Sequence, residues 1–209
     1  MHAFRFLFAS VFVLATLAAC STQPVSRTSI DRVLKAPDVP RAPYAEVVVV
    51  GVAPSRELSR ELEEGLTREL SAAGIRAHSF VKASASTRPS REAVEELARS
   101  TDADAVIMLS GKLAGAQLER HSESPEMDAQ PIGGGFVNYF RYDYKEYASP
   151  TWSDMHVDVS LVADLFDVAS SERVYTIESS TTKGTSDYEI LTAQSKAIVA
   201  RMRKDRMIR

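Results

Sequence analysis

Hydrophobic positions along the chain change period several times, and each change marks an element. Val47-Val48-Val49-Val50-Gly51-Val52 is an unbroken, mostly β-branched run. That is the pattern of a strand buried on both faces. Pro54-Ser55 then opens a helix with Ser55 at the N-cap. Leu58, Leu62, Leu66 and Leu70 make one apolar stripe, and Arg56, Arg60, Glu61, Glu64 and Arg68 take the other face. Gly74 suits a left-handed stop after that helix. Ile75 to Val81 alternates and predicts a second strand, with Ser84 to Pro89 as loop. Ser90 caps a second helix whose Val94, Leu97 and Ala98 face inward. Ala105-Val106-Ile107-Met108-Leu109 is the next buried strand, continuing to Leu118. Strand, helix, strand, helix, strand is the order of parallel βαβ units.

The second half changes character. Val157, Val159, Leu161, Ala163 and Leu165 alternate with polar residues over a long strand. Ala169-Ser170-Ser171-Glu172 reads as a turn and Val174 to Thr182 as the partner of an antiparallel hairpin. Ser186 with Glu189 forms a capping box. A last helix follows, with Leu191, Ser195, Ile198 and Met202 on one face. It ends in Arg201, Arg203, Lys204, Arg206 and Arg209, which complement the helix dipole or contact an anionic lipid or polymer. The expected fold class is α/β: a single domain over 46–209, βαβαβ, then a long antiparallel hairpin and a C-terminal helix, on a mixed sheet. An insertion rich in Gly and Tyr interrupts it at about 120–153.

Composition narrows the function. The 209 residues allow one or two domains, and 44% hydrophobic residues argue against wholesale disorder. The 25 basic and 28 acidic residues give no overall field to attract nucleic acid. One cysteine excludes a disulfide framework and a cysteine-rich zinc site.

That cysteine has a particular place. Arg5 and the apolar run Phe6 to Leu17 have the form of an export signal over 1–19, too short for a membrane span. The run closes with Leu17-Ala18-Ala19-Cys20, which resembles the lipobox of bacterial lipoproteins. The resemblance implies cleavage before Cys20, a diacylglycerol on its sulfur and an acyl chain on its new amino group. No other cofactor is expected. Two or three chains satisfy the need for more than one hydrophobic anchor. Ser21 rather than Asp follows, which by similarity to enterobacterial sorting signals implies the outer membrane, with the protein facing the periplasm. Residues 20–45 hold Pro24, Pro37, Pro40 and Pro43 and read as a semi-rigid tether, with Ile30 to Leu34 as a turn of helix or a short docked arm. Such a tether reaches at most roughly 80 Å.

Candidate chemistry is sparse. Gly133-Gly134-Gly135 neither follows a strand nor opens a helix, so it is not a phosphate loop. His78, His121 and His156 have no ligand spacing, so no metal site is expected. His156 lies two residues from Asp158 and near Asp154, a polar sheet edge or an acid–base pair. Asp102 and Asp104 flank Ala103, to end a helix and solvate a loop or to bind a cation. The most unusual stretch is Phe136 to Trp152, with Tyr139, Tyr142, Tyr144, Tyr147 and Trp152 as partner-binding candidates. Such aromatics offer rigid amphipathic contact area. They serve an envelope protein partner, stack on the sugars of peptidoglycan or polysaccharide, or pack on their own sheet.

The order of elements behind a lipidated cysteine is similar to that of small α/β envelope lipoproteins related to the amino-terminal domain of TolB. The hairpin VSLVADLFDVASSERVYTIESST carries this resemblance, and Arg60-Glu61 with Asp104-Ala105-Val106 resemble most a group of proteobacterial lipoproteins of this size. Similar domains occur in outer-membrane lipoprotein activators of penicillin-binding proteins and in the curli-secretion lipoprotein. The resemblance brings no catalytic residues. The expected function is a non-enzymatic interaction or assembly module of the cell envelope. The alternatives are a regulator of a peptidoglycan synthase, a carbohydrate-binding or hydrolytic protein, and a secretion or pore subunit.

Overall fold

The computed structural model describes residues 27–39, 42–84, 88–114, 158–182 and 187–209. The strands are β1 (Arg27–Lys35), β2 (Glu46–Val52), β3 (Arg76–Ser79), β4 (Ala105–Ala114), β5 (Asp158–Asp167) and β6 (Arg173–Thr182). The helices are α1 (Arg56–Ala72), α2 (Phe80–Ala83), α3 (Arg91–Ser100) and α4 (Asp187–Lys204). They form one α/β domain on a six-stranded mixed sheet of order β1-β6-β5-β4-β2-β3. β3, β2 and β4 run parallel, and β4, β5, β6 and β1 alternate in direction.

Two-residue periodicity divides β2 between two cores. Val47 and Val49 join Leu62, Leu66 and Leu70 of α1 and Ile198 and Met202 of α4 on one face. Val48, Val50 and Val52 join Phe80, Val94, Leu97 and Ala98 on the other. This is why the run is uniformly apolar. The Ser55 hydroxyl accepts from the Leu58 N–H at 3.1 Å, Ser90 caps α3 likewise through Ala93 N at 3.2 Å, and Gly74 has φ +85°. The stripe Leu191, Ser195, Ile198 and Met202 is buried. At Gly65, α1 approaches α4 so closely that a Cβ would sit 3.2 Å from Ser195 Oγ.

Three elements differ from the pattern reading. Residues 27–35, read within the tether, form an edge strand antiparallel to β6. The prolines at 24 and 37 flank this strand without entering it, and Ile30 and Val33 pack on the core. The short docked arm is therefore the arrangement found there. The strand expected over 75–81 stops at Ser79, whose hydroxyl accepts from Lys82 N and caps the single turn of α2. The basic end is not a trailing tail. Arg206 takes φ 57°, Met207 and Ile208 turn back into the core, and Tyr44 N donates to Met207 O at 2.8 Å.

Gly51 is where α1 meets the sheet. A Cβ there would lie 2.3 Å from the Ser59 carbonyl oxygen, a backbone atom that cannot swing aside. Gly51→Ala should cost about 3 kcal/mol, the upper range for overpacking. Urea unfolding of the two proteins measures this, and a loss below about 0.5 kcal/mol would contradict the close approach.

Candidate functional site

The buried carboxylates are the first chemistry to place. Glu63 lies on α1 one position beyond Leu62, which turns it to the sheet, and it is fully buried. Its Oε1 accepts from Gly51 N at 2.8 Å, and its Oε2 accepts from Ser79 Oγ at 2.6 Å and Val81 N at 2.8 Å. Burial pushes its pKa above the usual range, against these hydrogen bonds, which lower it. Asp104 accepts from Ala45 N at 3.0 Å and Glu46 N at 3.1 Å, joining the start of β4 to the start of β2. Asp167 accepts from Ser170 N at 2.8 Å, Ser170 Oγ at 2.9 Å and Tyr44 Oη at 3.2 Å. Asp164 accepts from Thr176 Oγ1 at 2.5 Å and lies 3.5 Å from Arg173. Each of these groups is engaged in holding backbone, a turn or neighbouring strands together.

At the β3 edge, Glu46 bonds Arg76 and lies 2.9 Å from His78 Nε2. The Arg76 hydrogen bond lowers the Glu46 pKa, against partial burial. Under the end of α4, Asp205 accepts from Tyr175 Oη at 2.5 Å and Arg201 Nε at 2.8 Å. Burial pushes Asp205 up, but these two donors hold it below its ordinary value. Burial and the neighbouring carboxylate push the Tyr175 phenol well up.

A groove of about 500 Å³ runs between α3 and the β5–β6 turn. Val106, Phe166 and Val168 contribute apolar lining, and Glu95, Arg99 and Asp102 contribute charge. Asp102 on one side and Ser171 on the other adopt φ 52° and φ 57°. Asp102 thus ends α3 by a left-handed turn, as the helix-termination reading expects. The volume is in the range of small-ligand sites. Asp167, the buried carboxylate beside the groove, is filled by its own turn.

The opposite end of the sheet has a different character. Thr28, Thr181, Val159 and Leu113 lie opposite one another in a single row across β1, β6, β5 and β4. One residue further out, Arg27 faces Thr182 and Asp158 faces Ala114. The start of β1, the end of β4 and the start of β5 therefore share one edge of the domain. Cys20, Tyr139, Tyr142, Tyr144, Tyr147 and Trp152 lie outside the described residues, as do the signal segment, His121, Gly133 to Gly135, Asp154, His156 and Ser186. Asp158 opens β5.

No protein-family model and no curated protein matches the chain. Among solved structures, it is similar to PelC dodecamers from Paraburkholderia phytofirmans. A leucine-to-methionine variant is 14% identical, with TM-score 0.45, over 88% of this chain and 100% of that one. A second PelC dodecamer is 15% identical, with TM-score 0.44, over 84% and 96%. The functional reading rests on this chain's own residues.

Among the described residues, no helix is long and apolar enough to cross a membrane, and no three His, Cys, Asp or Glu side chains are placed to hold a metal ion. Pattern reading missed Glu63, Asp167 and the Tyr175–Asp205 pair. A carboxylate beside a leucine stripe carries no local sign of burial, because its donors come from β2, β3 and α2. The one available cue was Gly51 within a β-branched run, which marks a close backbone approach.

Proposed function

We propose that this chain is a lipid-anchored, non-enzymatic interaction module of the cell envelope, held at the outer membrane through Cys20 and facing the periplasm. The observation that carries the reading is the position of its one cysteine, directly after Leu17-Ala18-Ala19 and seven residues before β1. Seven residues span at most about 25 Å, so lipid on Cys20 keeps the start of β1 within that distance of the bilayer. The roughly 80 Å of a free tether is not available. The chain linking β4 to β5, which carries the five aromatic candidates, joins the sheet in the same row as that start. Its two roots are two and three strand spacings away, about 10 and 14 Å. The start of β1 and the two roots of that connection thus belong to one side of the domain, which suits contact with a partner close to the membrane. A binding role also fits carboxylates engaged in holding the fold together.

The test is crosslinked capture from the native envelope with the full lipidated chain. It is run beside a variant carrying Ala at Tyr139, Tyr142, Tyr144, Tyr147 and Trp152. We expect one envelope protein to be recovered with the wild type and lost with the variant, whose melting temperature stays within about 2 °C. Unchanged capture would contradict the role of the aromatics, and an unfolded variant would make them packing residues.

A further inference from the structure

The cations at the end of α4 have no role in the reading above. Elsewhere on the domain, Arg60, Arg68, Arg76, Arg91 and Arg99 each pair with a glutamate. At the end of α4, Asp205 serves Arg201 at 2.8 Å, and its backbone carbonyl takes Lys35 Nζ at 2.9 Å. Arg203, Lys204, Arg206 and Arg209 are exposed, and none has an ion-pair partner among the described residues. Buried Met207 and Ile208 lie between them, so their backbone is fixed as part of the fold. A helix C-terminus carries roughly half a negative charge, so four free cations far exceed what the dipole requires.

We infer that this surface docks a linear anionic glycan of the envelope. A protein interface needs an apolar centre, and the exposed large hydrophobic side chain among the described residues, Tyr188, lies at the other end of α4. A flexible polyanion needs no such centre and binds through charge density. The choice of glycan over lipid rests on the anchoring proposed above. The start of α4 follows the end of β6, at the Arg27 side of the sheet, and its 18 residues carry the patch about 27 Å away. That is more than three Debye lengths at physiological ionic strength, so with the edge that holds the start of β1 toward the anchoring bilayer the patch lies beyond its field.

The experiment measures binding of the full-length protein in neutral detergent micelles to polygalacturonate, with dextran as the uncharged polymer. Phosphatidylglycerol vesicles, offered without detergent to Cys20→Ala, which carries no acyl chain, are the lipid arm. Polygalacturonate should bind at about 20 mM salt and weaken about tenfold at about 150 mM, with no binding to dextran. The triple variant Arg203→Glu, Lys204→Glu, Arg206→Glu should lose binding. Arg60→Glu, Arg91→Glu, Arg99→Glu changes the net charge equally and should retain it. The proposal is overturned if the wild type does not bind polygalacturonate, if the first triple variant still binds, or if the second loses binding equally. It is also overturned if the vesicles bind and polygalacturonate cannot displace them. Cys20→Ala should bind polygalacturonate normally in the same assay. Loss of acylation at Cys20 in cells with the patch intact would sink the anchoring reading alone.

Discussion

Glu63→Ala should remove about 3–5 kcal/mol of stability, because it leaves buried neutral donors without their acceptor at about 1–3 kcal/mol each. Three donors lose their acceptor at once: Gly51 N, Ser79 Oγ and Val81 N. They belong to the end of β2, the end of β3 and α2, so the loss spreads through the corner where α1 crosses the sheet. A domain with an ordinary total of about 5–15 kcal/mol would be left marginal. Glu63→Gln keeps one acceptor oxygen but turns an amide N–H₂ toward donors, and should cost less than Glu63→Ala. Urea unfolding measures both, and a loss below about 1 kcal/mol for Glu63→Ala would contradict this role.

The same carboxylate gives the pH dependence a sign. Burial raises the folded pKa of Glu63, so the folded state binds more protons than the unfolded chain above the ordinary carboxylate range. Its contribution to stability therefore falls as pH rises through that window and increases on mild acidification. Glu46 and Asp205 act in the opposite sense. Their lowered pKa values stabilise the fold above the ordinary range, and that stability is lost as pH falls through them. Together these groups place the maximum near the ordinary carboxylate range, and Glu63→Gln should flatten the limb above it.

The second large effect concerns Cys20. Placed behind a cleavable export signal, Cys20→Ala should move the protein from the membrane fraction into the soluble periplasm. One acyl chain gives an association constant of about 10⁴ M⁻¹, and two or three chains together make release negligible. Removing all of them leaves a domain whose described helices cannot span a bilayer. Fractionation with and without high salt separates lipid anchoring from surface charge. A variant that stays membrane-bound in high salt would show that Cys20 does not hold it.

Much of the fold was legible where the signal is local. The β-branched run of β2, the caps Ser55 and Ser90, the stop at Gly74 and the face of α4 all act within a turn or two of their own residues. The mixed sheet followed from the switch between parallel units and a hairpin. β1 was not legible, because its partner β6 lies some 150 residues away and nearby prolines suggested a spacer. Ser79 is compatible with a strand and equally with a cap, and the Lys82 amide decides between them. The candidate site divides in the same way. The proposed lipobox is a contiguous stretch, so its pattern is visible in the sequence itself. The groove beside α3 and the shared row of the start of β1 with the end of β4 and the start of β5 depend on register, which no stretch of sequence displays.

The most direct measurement is the mass of the amino-terminal peptide of the protein recovered from its native membrane. The account predicts a peptide that begins at Cys20 and carries a diacylglyceryl thioether and an acyl amide. A peptide that retains residues 1–19, or one with an unmodified Cys20 thiol, would contradict it.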